Sequence, residues 1–336
     1  MLSPTLDRTT VRAAVALANR APSVHNSQPW RWRVGRSSIH LFADPTRALP
    51  ATDPEERDLL LSCGAALHHL RVALAAAGLG CRVHRLPDPA RPDHLAAVEP
   101  HRSAPSEDGV ALAAAIERRR SDRRVFSTWP VPAEFRAELC RAAEEQGARL
   151  HLLEAEAERS AVARLVERAA VEQALAPGVA HETATWTGRS RSAADGVPAA
   201  AAPLPDGPGV VASRHFSDAQ LAQPELGRDE TDGTLLAVLV TTTDTRMDRL
   251  RAGEALSAVL LTATRDGLAT DPVSQPLEVP LTRAGLRTVC LGGHGEPQVL
   301  LRLGWAPPAA PPLPATGRRP VDETIEDLDR PGDPRR

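Results

Sequence analysis

Two short segments of the chain carry residue types that could bind a polar ligand. The first runs from Ala21 to Trp30 and reads Ala-Pro-Ser-Val-His-Asn-Ser-Gln-Pro-Trp. Pro22 and Pro29 each lack a backbone donor and restrict the preceding residue, so Ser23 and Asn26 are held in a loop that cannot become helix. Hydroxyl and amide groups held in this way can hydrogen-bond a polar ligand. A helix stop followed by an Asx turn is the alternative interpretation.

The second segment places five arginines around one serine, Arg-Arg-Arg-Ser-Asp-Arg-Arg over residues 118–124. Guanidinium groups at this density repel one another unless an anion or carboxylates lie nearby, and their planar shape suits phosphate oxygens and flat heterocycles. A solvated helix C-terminus, where cations complement the helix dipole, is the alternative. The segment therefore predicts either an anion site around Ser121 or a charged helix end.

The elements around the first segment place it at a helix-to-strand junction. Apolar residues recur at helical spacing over 11–20 and alternate over 30–34, which predicts a helix before the loop and a strand after it. Further helices are predicted at about 54–78, 110–119, 135–146, 157–175 and 253–267, and further strands at 38–43, 81–86, 234–243 and 298–303.

Three other stretches are predicted to be irregular. The polar, proline-containing residues 99–109 are interpreted as a domain boundary. Residues 177–233 are rich in Ala, Pro, Gly and charge, and a connection of this length is usually a functional lid or a disordered segment. The proline-rich residues 305–317 are expected to run over the surface and to deliver Arg318 and Arg319.

Composition indicates a globular chain and argues against several classes of protein. The chain has 336 residues, enough for one large or two medium domains, and is 42% hydrophobic. A net charge of -3 with interspersed charges gives no reason to expect nucleic acid. No apolar run is expected to span a membrane, and the N-terminus lacks a secretion pattern, so a cytoplasmic location is expected.

The histidines and cysteines do not predict a metal site. The four cysteines are far apart without a Cys-x-x-Cys pair, so buried free thiols are expected rather than disulfides or zinc. His68 and His69 are adjacent on a predicted helix and point to different sides of it. Gly-Gly-His-Gly at 292–295 precedes a strand, which favours a turn over a phosphate cradle. His25 is expected to face solvent or brace its loop, with contact to a substrate as the alternative.

Together, the two segments resemble the signatures of the nitroreductase superfamily of flavin enzymes, Pro-Ser-x-x-Asn-x-Gln-Pro-Trp and Arg-x-Ser-x-Arg/Lys-x-Phe. In ordinary members the arginine–serine segment comes first, and the loop crosses a dimer interface to complete the partner's flavin site. Here the order is reversed and no second loop follows. This arrangement resembles the Acg family, in which one chain contains two diverged nitroreductase-like halves. The resemblance covers nearly the whole chain and extends to residues 63–67, 252–256, 275–278, 297–304 and 318–320.

The resemblance implies an α+β, nitroreductase-like fold with an intrachain pseudo-dimer. The expected N-terminal half is 1–105 and the expected C-terminal half is 106–336, with a lid-like insertion at about 177–233. One FMN per chain is expected, although a further homo-oligomer is compatible with this organisation. The residues that the resemblance assigns to FMN are Pro22, Ser23 and Asn26 from the first half, and Arg119, Arg120, Ser121, Arg123, Gln275, Arg318 and Arg319 from the second.

The resemblance also implies roles for these residues. Arg318 and Arg319 match the basic pair that holds the FMN phosphate, and Gln275 belongs to a turn that passes near the ring. Arg123 is the candidate for stabilising negative charge on the reduced ring. No catalytic nucleophile or base is expected, because hydride transfer is the chemistry of the cofactor itself.

Two functions follow from the resemblance. In the first, NAD(P)H reduces bound FMN, and a nitroaromatic, quinone or similar acceptor reoxidises it in a ping-pong cycle. In the second, the protein binds or stores flavin, and the insertion covers the ring and keeps nicotinamide out. The amino-acid sequence does not decide between them.

Overall fold

The chain forms two β-sheets with helices packed between and around them. The computed structural model describes residues 7–204, 211, 214, 216–223, 232–308 and 310–328. The helices in these ranges are α1 Arg8–Ala18, α2 Arg57–Ala76, α3 Glu107–Arg118, α4 Ala133–Glu144, α5 Glu156–Ala174, α6 Pro177–Trp186, α7 Arg246–Arg265, α8 Gln275–Glu278, α9 Pro280–Leu291 and α10 Val321–Thr324. The strands are β1 Trp30–Val34, β2 Ile39–Ala43, β3 Leu79–Arg85, β4 His94–Arg102, β5 Arg149–Leu152, β6 Leu235–Thr241, β7 Ala269–Val273, β8 Glu296–Gly304 and β9 Ile325–Asp327.

The two sheets repeat one topology. Their strand orders are β3-β4-β2-β1-β9 and β7-β8-β6-β5, so that four strands of each sheet follow the same order. In each half a 20-residue helix connects two of these strands along the chain: α2 follows β2 and precedes β3, and α7 follows β6 and precedes β7. All of these strands pair antiparallel, and only β9 pairs parallel to its neighbour β1. The repeat accords with the predicted pair of diverged halves.

The two long helices cross at a pair of glycines. Gly64 of α2 and Gly253 of α7 occupy the same position in their helices and lie against each other. A methyl group added at Gly64 would lie 2.0 Å from the carbonyl oxygen of Leu250, and one added at Gly253 would lie 2.0 Å from that of Leu61. Any side chain here would push the helices apart. The crossing therefore brings the two halves together at the centre of the molecule.

The C-terminal segment returns to the first half. Trp30 and Trp32 are fully buried, and both indole N–H groups donate to Asn19 Oδ1 at 3.0 Å. The Asn19 amide donates to Thr324 Oγ1 at 2.7 Å, and β9 adds beside β1 with Ile325 opposite Trp32. The first sheet is thus completed by residues from the end of the chain, which the division at 105 does not anticipate.

Most predicted elements are confirmed, with ends that differ by up to seven residues. These are α1, α2, α3, α4, α5 and α7, and β1, β2, β3, β6 and β8. The elements that the sequence did not predict are β4, β5, β7 and β9, and helices α6, α8, α9 and α10. The division at 105 falls between β4 and α3 and remains a proposal.

The prediction of an irregular boundary at 99–109 is wrong in its first part, because β4 extends to Arg102. β2 pairs with β4 only as far as Val98, whereas β3 continues past Pro100. Pro100 therefore lies where β4 has one neighbour, a position at which the missing backbone donor is tolerated.

The prediction of an irregular insertion at 177–233 is wrong where α6 forms, because Pro177 occupies the first turn of a helix and needs no donor there. Residues 205–210, 212–213, 215 and 224–231 of the insertion lie outside the described residues, as does the charged tail predicted at 331–336.

Helix α2 corrects the expectation that no apolar run could span a membrane. By length and composition it passes that test, the only described helix to do so. However, most of its residues are buried against α1, α3, α7 and the first sheet. It is a core helix of this fold.

Candidate functional site

Two adjoining cavities lie where the two predicted segments meet. They share four wall residues, Pro22, Ser23, Ser121 and Arg123, so that each predicted segment contributes to both cavities. Counting space open to solvent, they enclose about 870 and 700 Å³. Below, the larger is called the first cavity and the smaller the second cavity. Their common wall makes one elongated site.

The loop from the first half is held in a strained conformation. His25, Asn26 and Gln28 have φ angles of 51°, 53° and 52°, in the left-handed region that side chains disfavour. Hydrogen bonds hold the loop in place: Gln28 N donates to Ser23 Oγ at 3.0 Å, and the Gln28 amide donates to the carbonyl oxygen of Ala194 at 2.8 Å. The sequence predicted the loop but not this backbone strain.

Asn26 contributes to the second cavity. Its amide donates to the carbonyl oxygens of Gly196 at 3.0 Å and Gly317 at 3.2 Å. Its Oδ1 is buried and has no donor among the described residues. Asn26 therefore ties together three distant parts of the chain and keeps one acceptor for a ligand.

The second cavity is lined by a cluster of arginines. Its members are Arg20, Arg119, Arg120 and Arg318, and Arg123 stands in the wall shared with the first cavity. No carboxylate of the described residues forms an ion pair with the first four. Nε of each of the four, and Nη1 of Arg119, are buried without an acceptor in the described part of the chain. Buried N–H groups without acceptors are rare in folded proteins, and five of those in the described part of the chain belong to arginines that line this cavity.

Electrostatics in the second cavity favours an anion. Burial and the neighbouring guanidinium groups lower the pKa of Arg119 to about 10 and that of Arg318 to about 9. Both changes mean that the folded protein opposes these charges. A bound anion would reverse that effect and accept the unpaired N–H groups.

Arg319 does not line either cavity. Its backbone N–H donates to Gln28 Oε1 at 2.9 Å, and its guanidinium donates to the carbonyl oxygen of Gln28 at 3.4 Å. Asp44 lies 3.7 Å away. Arg319 therefore braces the first loop from behind, whereas Arg20, which the sequence analysis missed, takes a place in the cluster. The sequence signal that could have identified Arg20 is its position immediately before the Ala-Pro-Ser start of the loop.

The first cavity joins residues of both halves. Leu61 and Ser62 of α2 line it together with Leu256 of α7, and the end of β7 and the start of α8 supply residues 271–275, including Gln275. Arg123 lies 4.0 Å from Asp271 and 5.0 Å from the centre of the Phe216 ring. Burial lowers the pKa of Arg123, although Asp271 opposes this effect. The first cavity is therefore apolar along α2 and α7, with Arg123, Arg214 and Arg302 in its wall.

His25 also lines the first cavity. It is 6% exposed, so the expectation that it faces solvent is wrong. Its ring nitrogen Nε2 lies 3.5 Å from Nη1 of Arg214. Burial, then the charges of Arg214 and Arg123, lower the pKa of His25 well below its ordinary value, so the ring is neutral at physiological pH.

Described residues of the insertion form one side of the first cavity. They are Val211, Arg214 and Phe216. Arg214 forms a buried ion pair with Glu278 of α8, and Val211 packs into the cluster that contains Leu277. The sequence predicted that the insertion might act as a lid but did not identify the residues that contact the site.

The remaining candidates serve the fold. His68 Nδ1 lies 2.8 Å from Ser257 Oγ, across the contact between α2 and α7. Cys63 and Cys290 are buried free thiols, and Cys81 and Cys140 are half-buried free thiols. Within the described ranges, no group of three or more histidine, cysteine, aspartate or glutamate residues could hold a metal ion.

Comparison with known proteins identifies the family. No family model matches the chain. A protein of Mycobacterium tuberculosis strain H37Rv with the name "Putative NAD(P)H nitroreductase Rv3131" is 45% identical over 320 residues, 95% of this chain and 92% of the relative. A second protein of that strain, "Putative NAD(P)H nitroreductase acg", is 37% identical over 321 residues, 94% and 95% of the two chains.

The chain therefore belongs to the nitroreductase family that includes acg, as its two segments predicted. The predicted α+β, nitroreductase-like fold is confirmed with it.

The comparison with solved structures gives matches of low identity and low TM-score. A nitroreductase with bound FMN from Bacteroides fragilis is 12% identical, with 60% of this chain and 90% of that chain covered and a TM-score of 0.38. The FMN and NADPH-dependent nitroreductase NfnB from Sphigopyxis sp. strain HMH is 17% identical, with 64% and 97% covered and a TM-score of 0.41.

Proposed function

We propose that the two cavities together bind one FMN and that the protein is an NAD(P)H-dependent oxidoreductase of the nitroreductase type. The observation that carries the proposal is the group of four arginines with buried, unpaired Nε groups and without carboxylate partners among the described residues, next to a cavity with apolar walls. FMN is elongated, with a phosphate at one end and a flat ring at the other. We also propose that the protein is cytoplasmic, as expected from the sequence.

The residues present fit this ligand from end to end. The unpaired N–H groups of Arg119, Arg120 and Arg318 would hold the phosphate, with Arg20 beside them. Ser23 and Ser121, in the shared wall, would face the polyhydroxyl chain. The first cavity would take the ring, with Arg123 and Gln275 in its wall. Arg319 would act indirectly, by fixing Gln28 and the loop.

When bound, FMN would supply two-electron hydride transfer between NAD(P)H and a nitroaromatic or quinone-type acceptor. The side chains would provide binding and charge. Arg123 is a desolvated cation in the wall of the first cavity, and a preorganised cation stabilises negative charge that develops beside it. Because His25 is neutral, positive charge at this end comes from Arg123, Arg214 and Arg302. The apolar surfaces of Leu61 and Leu256 exclude water from the same space.

Binding can be tested by titrating the flavin-free protein with FMN and following ring fluorescence. We expect Arg318→Gln to weaken FMN binding by roughly 10- to 100-fold, the effect of removing a charged hydrogen bond. The control is Arg168→Gln, an exposed arginine of α5 that pairs with Glu172. If wild-type protein bound no FMN at micromolar concentration, the proposal would be wrong.

Storage of flavin is the second candidate function, and one observation favours it. Val211, Arg214 and Phe216 cover one side of the first cavity, and Arg214 is tied to Glu278 by a buried ion pair. A closed cover would keep nicotinamide from the ring. Anaerobic mixing of the FMN-loaded protein with NADH and with NADPH separates the two functions. Rapid bleaching of the flavin absorption supports the reductase, and an unchanged band supports storage.

A further inference from the structure

Gln275 lines the first cavity and carries an unpaired hydrogen-bond acceptor. The residue is 4% exposed and lines that cavity, and its Oε1 receives no donor from the described residues. A glutamine can present either its oxygen or its NH2 group to a ligand, and the two select opposite partners. Which group faces the cavity therefore decides what the site can bind.

A chain of hydrogen bonds leads from Gln275 to a buried carboxylate. Nε2 of Gln275 donates to Oε1 of Gln173 at 3.0 Å, and Nε2 of Gln173 donates to Oε2 of Glu278 at 2.6 Å. The other oxygen of Glu278 accepts from Ser274 Oγ at 2.7 Å and from Arg214. The carboxylate thus accepts three donors and is paired with a cation.

The Glu278 carboxylate fixes the donor-to-acceptor direction of both hydrogen bonds in this series. An ionised carboxylate has no proton to donate, so Gln173 must direct its NH2 group to Glu278. The oxygen of Gln173 is then left for Gln275, which must direct its own NH2 group to Gln173. The remaining group of Gln275, its oxygen, is the one that faces the cavity.

We propose that Glu278 and Gln173 are positioning residues that make Gln275 a hydrogen-bond acceptor for an N–H group of the bound ring. This inference rests on the proposed function, because it takes the ligand to be a flavin. The flavin ring carries an N–H at position 3 in both redox states, and an N–H at position 5 only when reduced. Either group can donate to Gln275, and the two have different consequences.

The test uses one isosteric substitution to reverse the direction of the hydrogen bonds between Gln275, Gln173 and Glu278. In Glu278→Gln the new amide can donate to Gln173, which allows Gln173 and then Gln275 to turn over. The probes are FMN and 3-methyl-FMN, which lacks the donor at position 3, together with the midpoint potential of bound FMN. One neutral hydrogen bond corresponds to about three- to tenfold in affinity.

If position 3 is the donor, wild-type protein binds FMN about three- to tenfold more tightly than 3-methyl-FMN, and Glu278→Gln loses this preference. If position 5 is the donor, neither protein discriminates, but Glu278→Gln lowers the midpoint potential by about 30 mV for each tenfold loss of preference for reduced FMN. Either pattern supports the proposal. The proposal would be overturned if wild-type protein and Glu278→Gln both bound FMN with the same preference over 3-methyl-FMN and the same midpoint potential.

Two further variants separate positioning from general damage. Gln173→Met removes the residue that links Gln275 to Glu278, and it should reproduce the effect of Glu278→Gln. It remains informative if the Glu278→Gln variant folds poorly. Glu158→Gln alters a carboxylate of α5 that bonds His151 outside the site, and should change nothing. Wild-type protein that binds no FMN would refute the proposed function instead, and the two failures are thus distinguishable.

Discussion

Replacing Arg119 by methionine should stabilise the flavin-free protein and weaken its binding of FMN. Arg119 is 5% exposed, and no side-chain hydrogen bond or ion pair to a described residue is lost with its guanidinium. Its pKa of about 10 shows that burial and neighbouring arginines oppose the charge. At about 1.4 kcal/mol for each tenfold change in proton affinity, the lowered pKa corresponds to about 3 kcal/mol.

The measurable gain should be smaller, because relaxation and salt reduce such effects. We expect Arg119→Met to raise the free energy of unfolding of the flavin-free protein by about 1–3 kcal/mol. FMN affinity should fall by roughly 10- to 100-fold, because one charged contact to the phosphate is lost. The two changes have opposite signs, which a mutation that merely damages the fold cannot produce.

Urea denaturation of the flavin-free protein and calorimetric titration with FMN measure the two quantities. Arg168→Met is the matched control, since that guanidinium is exposed on α5 and pairs with Glu172. It should change neither quantity appreciably. The reasoning would be refuted if Arg119→Met lowered the free energy of unfolding by more than about 1 kcal/mol and left FMN affinity unchanged.

Three further outcomes are expected. Alanine at Gly64 or Gly253 should destabilise the protein by about 3 kcal/mol or more in urea denaturation, whereas Gly178→Ala, in open helix α6, should not. Burial, then the charge of Arg71, lowers the pKa of His68 to about 3. The unfolded chain therefore binds one more proton, so stability falls from pH 6.5 toward 3 by up to about 1.4 kcal/mol per pH unit. In urea denaturation, His68→Gln should reduce this slope. Titration should show one FMN per chain, and two equivalent sites would contradict the assignment.

The local chemistry of the site could be predicted from the sequence, because its residues are contiguous. Ser23 and Asn26 lie within one proline-bounded segment, and Arg119, Ser121 and Arg123 lie within one basic segment. The structure brings both segments to the same pair of cavities. Each signal needed only short-range spacing, which a single sequence displays.

The contributions from distant residues could not be predicted in the same way. Arg20 faces the cavity because of the direction in which α1 ends, and Arg214 reaches Glu278 because of the path of the insertion. β9 pairs with β1 although almost the whole sequence separates them, and the three residues of β9 are too few to show the alternating pattern of a strand. Arg319 was assigned with Arg318, but neighbouring residues of an extended segment point to opposite sides.

The repeated topology raises the question of why the chain should contain a single site. Leu61 and Leu256 line the first cavity, whereas Leu250 and Leu67, which occupy the same positions in the opposite helices, are fully buried in the core of the first half. There the space between the helices and the sheet is already filled.

A buried ion pair occupies the neighbouring position in the first half. Arg85 follows Gly78 at the spacing by which Ser274, a wall residue of the first cavity, follows Gly267. Arg85 donates to both oxygens of Glu254 at 2.6 and 2.9 Å, and Arg71 donates to the same carboxylate at 2.7 Å. A buried carboxylate with this many donors is costly to separate from them. In the first half, packing and charge pairing therefore occupy the positions that correspond to the walls of the first cavity.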